Sequence, residues 1–164
     1  MPGAFHNAAH RDLVTALGDE LTLGDSAAEW LESSDWAEAV ERVRAQRFPD
    51  VAPDEAFRAI GQWIGERYLT SEVGKVVLQS LQLVPRERLF VNLVPAMAAR
   101  LRPGFTWTWE PAESGGKLRV RGRRVTPVGT TLGFFEVLVK ELGPTARVRL
   151  GHVEPEEFGL VVTW

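Results

Sequence analysis

The chain has 164 residues, a formal net charge of −3 and no cysteine. This length is typical of one domain, and we expect residues 1–164 to form a single domain. Without cysteine, disulfides, thiolate zinc sites and cysteine nucleophiles are excluded, which suits a reducing compartment. No stretch approaches the ~20 apolar residues of a membrane span, and the N-terminus has no signal-peptide pattern. We therefore expect a cytoplasmic protein that does not contact membranes.

Residues 1–102 have the apolar period of helices, and we expect them to form a helical layer. The clearest helix carries four apolar side chains on one face: Phe57, Ile60, Ile64 and Tyr68. Another begins at Pro85, because the first helical turn does not need the N–H that proline lacks, and runs to Leu101. Pro95 lies inside this second helix and removes one backbone hydrogen bond. The sequence therefore predicts a kink at Pro95.

From residue 103 onward the apolar period changes from 3.6 to 2, which is typical of strands. Residues 113–116 predict a somewhat long hairpin loop. The predicted elements are strands 105–109 and 117–121, helix 130–142, and strands 147–150 and 158–162. Residues 103–164 thus predict a β-β-α-β-β unit. The expected fold is α+β, with the N-terminal helices packed on a four-stranded antiparallel sheet.

Alternation along the strands assigns their side chains to two faces. The buried face is predicted to carry Phe105, Trp107, Trp109, Leu118, Val120, Val148, Leu150, Leu160 and Val162. The opposite face is predicted to carry Thr106, Thr108 and four arginines: Arg119, Arg121, Arg147 and Arg149. These arginines form either a solvated face or a face that binds an acidic protein partner, which includes the acidic helical half of a second copy. A nucleic-acid partner is disfavoured, because sheets that bind nucleic acid usually expose aromatic side chains for base stacking.

The histidines give little support for a metal or a catalytic site. His6 and His10 are four residues apart, but a metal site needs at least a third ligand. His152 lies near Glu154, Glu156 and Glu157, where a histidine–carboxylate pair is one arrangement for a general base. No motif places a nucleophile beside it, and a polar loop is the favoured interpretation. We therefore assign no metal and no catalytic residue.

Several stretches together resemble a myxobacterial paralogous family of unknown function. They are Gly65-Glu66-Arg67-Tyr68 through Gly74-Lys75, residues 107–121, residues 127–143 and residues 157–164. The resemblance covers residues 53–164. The layout of that family is similar to heme–nitric-oxide-binding domains, to vinyl-reductase-type ligand-sensing domains and to vesicle-tethering subunits of the TRAPP type. This resemblance implies an apolar cavity between helices and sheet.

The chain departs from these relatives in its polar residues. Heme domains of this kind need a histidine on a mid-chain helix and a Tyr-x-Ser-x-Arg clamp, and this sequence has neither. The vinyl-reductase-type domains carry a cysteine cluster, and this chain has no cysteine. We therefore expect no cofactor. The residues expected to line a cavity are Trp63, Tyr68, Phe90, Met97, Trp107 and Phe134.

Three functions follow as hypotheses. The first is a non-catalytic regulatory or sensory module that binds a small apolar ligand between helices and sheet; the expected Pro95 kink and the six tryptophans motivate it. The second is a protein-interaction or dimerisation module without a ligand, motivated by an acidic N-terminal part and a basic C-terminal part. The third, an enzyme, has the least support in the sequence.

Overall fold

The computed structural model describes residues 33–70, 72–95, 105–124 and 127–164. Helices occupy the first two of these ranges, and one further helix lies between the two hairpins. They are α1 (Ser33–Arg47), α2 (Pro53–Thr70), α3 (Glu72–Leu83), α4 (Arg86–Arg88, continued by the π-helical segment Leu89–Leu93) and α5 (Val128–Lys140). Among the described residues, no helix is both long enough and apolar enough to cross a membrane.

Four strands form one antiparallel sheet in the order β1-β2-β4-β3. They are β1 (Thr106–Ala112), β2 (Gly115–Arg121), β3 (Arg147–Val153) and β4 (Glu157–Thr163). The second hairpin joins the first through the β2–β4 pair, so β1 and β3 lie at the edges. The predicted α+β class and the β-β-α-β-β order are confirmed.

The first hairpin is tighter than its sequence predicts. Ala112 pairs directly with Gly115, so Glu113 and Ser114 alone form the turn, and Gly116 is already a strand residue. The predicted four-residue loop was wrong, because the two glycines extend β2. Glycine is needed at 115, where φ is +134° and a Cβ would overlap the carbonyl oxygen of Val162.

The predicted two faces of the sheet are confirmed. Leu118, Val120, Leu160 and Val162 are each at most 1% exposed and form the centre of the core. The side chains of Phe105, Trp107, Trp109, Val148 and Leu150 are partly buried and pack against that core. Helix α5 starts at Val128 rather than at residue 130 and covers this inner face with Phe135, Leu138 and Val139.

Helices α2 and α5 are in backbone contact, and two pairs of glycines make this possible. Gly61 and Gly65 lie one turn apart on α2, and Gly129 and Gly133 lie one turn apart on α5. A Cβ at Gly61 would overlap the carbonyl oxygen of Thr130, and one at Gly133 would overlap the carbonyl oxygen of Arg58. The two helices run in the same direction across this contact, which joins the helical layer to the β-β-α-β-β part.

Polar side chains fix the register of the same crossing. Arg58 on α2 donates from Nε to Oε2 of Glu136 at 2.9 Å, and its Nη2 donates to Oε1. Gln62 donates from Nε2 to Oε2 of Glu136 at 2.7 Å. The Glu136 hydrogen bond raises the pKa of Arg58 above its ordinary value. This fork geometry is the strong form of an arginine–carboxylate pair.

Helix α4 is irregular just before Pro95. Val94 donates its N–H to the carbonyl oxygen of Leu89, five residues earlier, which is the hydrogen bond of a π-helix. Pro95 follows and has no N–H to offer, so the regular ladder cannot continue through it. A π-helical segment, Leu89–Leu93, therefore lies ahead of the proline, and the kink expected at Pro95 stays a prediction. Residues 96–101, including Met97, lie outside the described residues.

Candidate functional site

Three aromatic rings stack where α4 meets the first hairpin and the end of β4. The rings of Phe90 and Trp109 have centroids 4.5 Å apart and planes 21° apart. Trp164 stacks on both, with centroids 5.8 Å from Phe90 and 6.1 Å from Trp109. We call Phe90, Trp109 and Trp164 the stacked trio. Gly116 makes room for it, since a Cβ there would lie 2.7 Å from Cε2 of Trp109.

A second aromatic group continues along the inner face toward α2 and α5. Tyr68 and Phe134 have ring centroids 5.5 Å apart, and Phe134 meets Phe135 edge-on at 5.8 Å. Trp107 lies 6.0 Å from Phe135. Burial raises the pKa of the Tyr68 hydroxyl, which keeps it neutral near pH 7. Phe90 and Trp107 thus lie where helices meet the sheet, and Tyr68 and Phe134 are in contact where α2 meets α5.

Two of the residues expected to line the cavity are not in this group. Trp63 lies beside the guanidinium groups of Arg47 and Arg67, at 5.6 Å and 5.7 Å from its ring centroid, and only packs against the core. Met97 lies outside the described residues. Trp109 and Trp164 belong to the inner aromatic face, but the sequence did not assign them to the cavity. The alternation along β1 gave a signal for Trp109 only.

The inner face holds two hydrogen-bond donors without acceptors. The Nε1 atoms of Trp107 and Trp109 are buried, and neither has a hydrogen-bond partner among the described residues. Buried indole N–H groups usually find a partner, and leaving one unpaired costs about 1–3 kcal/mol. This feature depends on three-dimensional packing, so no sequence pattern could have shown it.

The outer face of the sheet is a mixed charged surface rather than a uniform basic one. Arg119 pairs through Nη2 with Oε1 of Glu110 at 2.9 Å, and its Nε lies 3.6 Å from Oε1 of Glu157. Arg121 Nε lies 4.0 Å from Oε2 of the same Glu157. Strands β1 and β4 thus supply carboxylates to two of the four predicted arginines.

The other two predicted arginines lie on edge strand β3. Arg147 donates from Nη1 to the carbonyl oxygens of Pro144 and Ala146 at 2.7 and 2.8 Å. Arg149 and Arg147 are both exposed. The four arginines share one face as predicted. Whether that face binds a partner stays a prediction.

His152 reaches the outer face because of a β-bulge. Leu150 pairs with Leu160 and Val153 pairs with Phe158, so β3 holds one residue more than β4 in this interval. The extra residue turns His152 over Gly159, where a Cβ would lie 2.7 Å from its Nδ1. There His152 Nε2 lies 2.9 Å from Oε1 of Glu157. That hydrogen bond, with Arg119 and Arg121 nearby, lowers the pKa of Glu157.

Structures of H-NOX proteins share this fold. An Fe(II) unliganded H-NOX protein variant from K. algicida is 13% identical, with a TM-score of 0.60, and the alignment covers 99% of this chain and 96% of that one. An oxygen-binding H-NOX domain related to soluble guanylate cyclases, in its oxygen complex, is 12% identical, with a TM-score of 0.58 and coverage of 93% and 90%. A structure from work on heme distortion in the H-NOX family is 13% identical, with a TM-score of 0.61 and coverage of 100% and 95%. The protein therefore has an H-NOX-like α+β fold.

The chain belongs to the family described as proteins of unknown function (DUF2378), whose model matches residues 7–164. No curated protein matches the sequence. The resemblance inferred from the sequence, to a family of unknown function with a layout similar to heme–nitric-oxide-binding domains, is confirmed.

The described residues of the inner face supply no histidine for a heme iron. His152 is the sole histidine within the described ranges, and it pairs with Glu157 on the outer face. The buried α4 residues Leu89, Phe90 and Val94 are apolar and cannot ligate iron. In the same part of the chain, no three histidine, aspartate or glutamate side chains lie close enough to hold a metal ion.

Proposed function

We propose that this chain is a non-catalytic regulatory module that binds a small apolar ligand between α4 and the inner face of the sheet, without heme. The observation that carries the proposal is the stacked trio, in which Phe90 of the π-helical segment stacks on Trp109 and Trp164. Segments of π-helix are rare and occur frequently at functional sites. Small-molecule pockets in proteins are usually lined by hydrophobic and aromatic side chains.

The fold supports the same place for a ligand. H-NOX structures with this layout are described by their binding of oxygen and by their heme. Here the buried residues of α4, Leu89, Phe90 and Val94, have only apolar side chains, so an organic ligand held by burial and ring stacking suits the site better than a metal-centred one. Ring pairs add about 0.5–1.5 kcal/mol beyond the area they bury.

Native mass spectrometry of freshly purified protein tests the proposal. A co-purified ligand gives a mass above the 18.2 kDa of the chain, and the excess disappears on denaturation. Ethylbenzene added to ligand-free protein should then raise its melting temperature, because a ligand at 100 times its Kd stabilises by about 2.7 kcal/mol. Phe90→Leu should weaken this shift, and Trp63→Phe, which changes a ring beside Arg47 and Arg67, should preserve it. A bare chain with no response to ethylbenzene would contradict the proposal.

A second candidate function is a protein-interaction module that uses the outer face of the sheet. Arg121 and Arg149 are exposed there, and the side chain of Arg121 is 76% exposed. Such a face favours an acidic protein partner or the acidic helices of a second copy. A dimer whose dissociation constant rises with salt and with Arg149→Glu would support this function. A protein that stays monomeric at every salt concentration, and whose melting temperature rises with ethylbenzene, would favour the ligand-binding function.

A further inference from the structure

The two indole N–H groups on β1 define what kind of apolar ligand the site accepts. Trp107 and Trp109 are alternate residues of one strand, so both side chains lie on its inner face. Their Nε1 atoms are buried and have no acceptor within the described residues. One unpaired donor only lowers the stability of the fold. Two unpaired donors on the same face of one strand also give that apolar face two sites for a hydrogen-bond acceptor.

A ligand could reach these donors from the side of α4. Strand β1 is an edge strand, so its inner face has a neighbouring strand on one side only. On the inner side α4 covers it, and Phe90 lies on the Trp109 ring. The π-helical segment of α4 ends at Leu93, and Pro95, two residues later, has no N–H to donate to the helix. A ligand that reaches the donors from the inner side therefore contacts α4.

The surroundings of the two indoles determine the charge of the acceptor. The buried side chains with polar atoms within the described ranges are Thr130, Thr131 and Tyr68, all of them neutral, and no buried lysine or arginine lies among them. An unpaired carboxylate or phosphate in such a place would lose its hydration without gaining a counter-charge. A neutral acceptor such as a carbonyl or ether oxygen loses far less.

We propose that the site binds a neutral apolar molecule that carries a hydrogen-bond acceptor, and that the indole N–H groups of Trp107 and Trp109 donate to that acceptor. This inference rests on the proposed function, since it names the ligand class for the same site. It makes Trp107 and Trp109 specificity-determining residues, whereas Phe90 and Trp164 supply stacking area.

Three probes with one benzene ring test this: acetophenone, ethylbenzene and benzoate. Acetophenone and ethylbenzene have nearly the same shape, but only the first has a carbonyl acceptor. In a purely apolar site ethylbenzene should bind more than about tenfold tighter, because the carbonyl loses its hydrogen bonds to water. With indole donors, acetophenone should bind at least as tightly as ethylbenzene, and benzoate should bind most weakly.

The measurement is a titration followed by ¹H–¹⁵N spectra of the full-length protein, which has six indole N–H signals. Acetophenone should move the Trp107 and Trp109 indole protons downfield relative to ethylbenzene at equal saturation. Trp107→Phe and Trp109→Phe should restore the preference for ethylbenzene while ethylbenzene itself still binds. Trp63→Phe is the matched control and should leave the order of affinities unchanged.

The outcomes separate the two proposals. If ethylbenzene binds about tenfold tighter than acetophenone and the indole protons move equally with both, the donor role is wrong and the apolar site stands. If benzoate binds most tightly, the neutral-ligand inference is wrong. If none of the three probes binds, both the inference and the proposed function are wrong.

Discussion

Replacing Gly133 with alanine should force α2 and α5 apart. The added Cβ would overlap the carbonyl oxygen of Arg58 and lie 2.8 Å from the backbone nitrogen of Gln62. Both neighbours are backbone atoms inside a helix, so neither can rotate away. Ordinary contact begins at about 3.4 Å, and the helices must therefore separate by more than an ångström or tilt.

The size of the effect follows from three contributions. Alanine gains about 1 kcal/mol over glycine in a helix interior, which acts in favour of the variant. Overpacking of this kind costs about 1–3 kcal/mol. Separation of the helices also lengthens the hydrogen bonds of Glu136 to Arg58 and Gln62, and bonds to charged groups contribute about 1.5–3 kcal/mol each when well formed. We expect a net loss of about 2–4 kcal/mol for Gly133→Ala.

Urea denaturation followed by tryptophan fluorescence measures this loss. With a slope of about 2 kcal/mol/M, a loss of 3 kcal/mol lowers the midpoint by about 1.5 M. Gly129→Ala is the matched control, because it lies one turn earlier on the same face of α5. Its Cβ would approach the Asp54 carbonyl oxygen only to 3.1 Å, and we expect a change within about 1 kcal/mol. Equal effects from the two substitutions, or a Gly133→Ala protein as stable as the original, would refute the backbone-contact explanation.

Three further predictions concern single side chains. The lowered pKa of Glu157 means that its ionised form stabilises the fold above the ordinary carboxyl pKa of about 4.3, and this stability is lost as pH falls through the lowered value. Glu157→Gln should thus be less stable than the original protein at pH 7, and the difference measured by urea denaturation should shrink as the pH falls below about 4. A difference that does not change with pH would contradict the role given to His152. Glu136→Gln should cost about 1 kcal/mol through its pair with Arg58, which is half exposed, and the difference should shrink in 1 M NaCl; a salt-independent loss would be a packing effect. Leu160→Ala, at a site with 0% exposure, should cost about 2–5 kcal/mol, and a loss below 1 kcal/mol would show that the core repacks there.

The sheet could be predicted from the sequence because its signals are local. Alternation placed Leu118, Val120, Leu160 and Val162 correctly, since a strand with one buried face must repeat every two residues. The bulge that turns His152 to the outer face breaks that alternation. Gly151 lies within it, and a glycine inside a strand is a signal for a bulge, although it does not fix which residue is the extra one. The turn at Glu113 and Ser114 was predicted two residues too long, because glycines are typical of turns as well as of strand positions that contact a neighbour.

The helix crossing and the aromatic site were predictable only in part. The spacing of Gly61 and Gly65, repeated in Gly129 and Gly133, was available as a signal for close helix packing, although it does not say which helices meet. Phe90 and Trp109 are 19 positions apart in the sequence, but their ring centroids lie 4.5 Å apart. This contact depends on the tertiary fold. The unpaired indole donors depend on every neighbour of β1, so they follow from the structure alone.

The α2–α5 crossing also has a consequence for folding kinetics. Arg58 and Glu136 are 78 positions apart, so the crossing closes a long loop, and the entropy cost of that closure must be met before its contacts are gained. The hairpins close short loops and should form first, with the crossing completed after the transition state. Substitutions at the crossing should therefore speed unfolding and leave the folding rate nearly unchanged. The glycine contact would then determine how long a folded molecule persists rather than how quickly it forms.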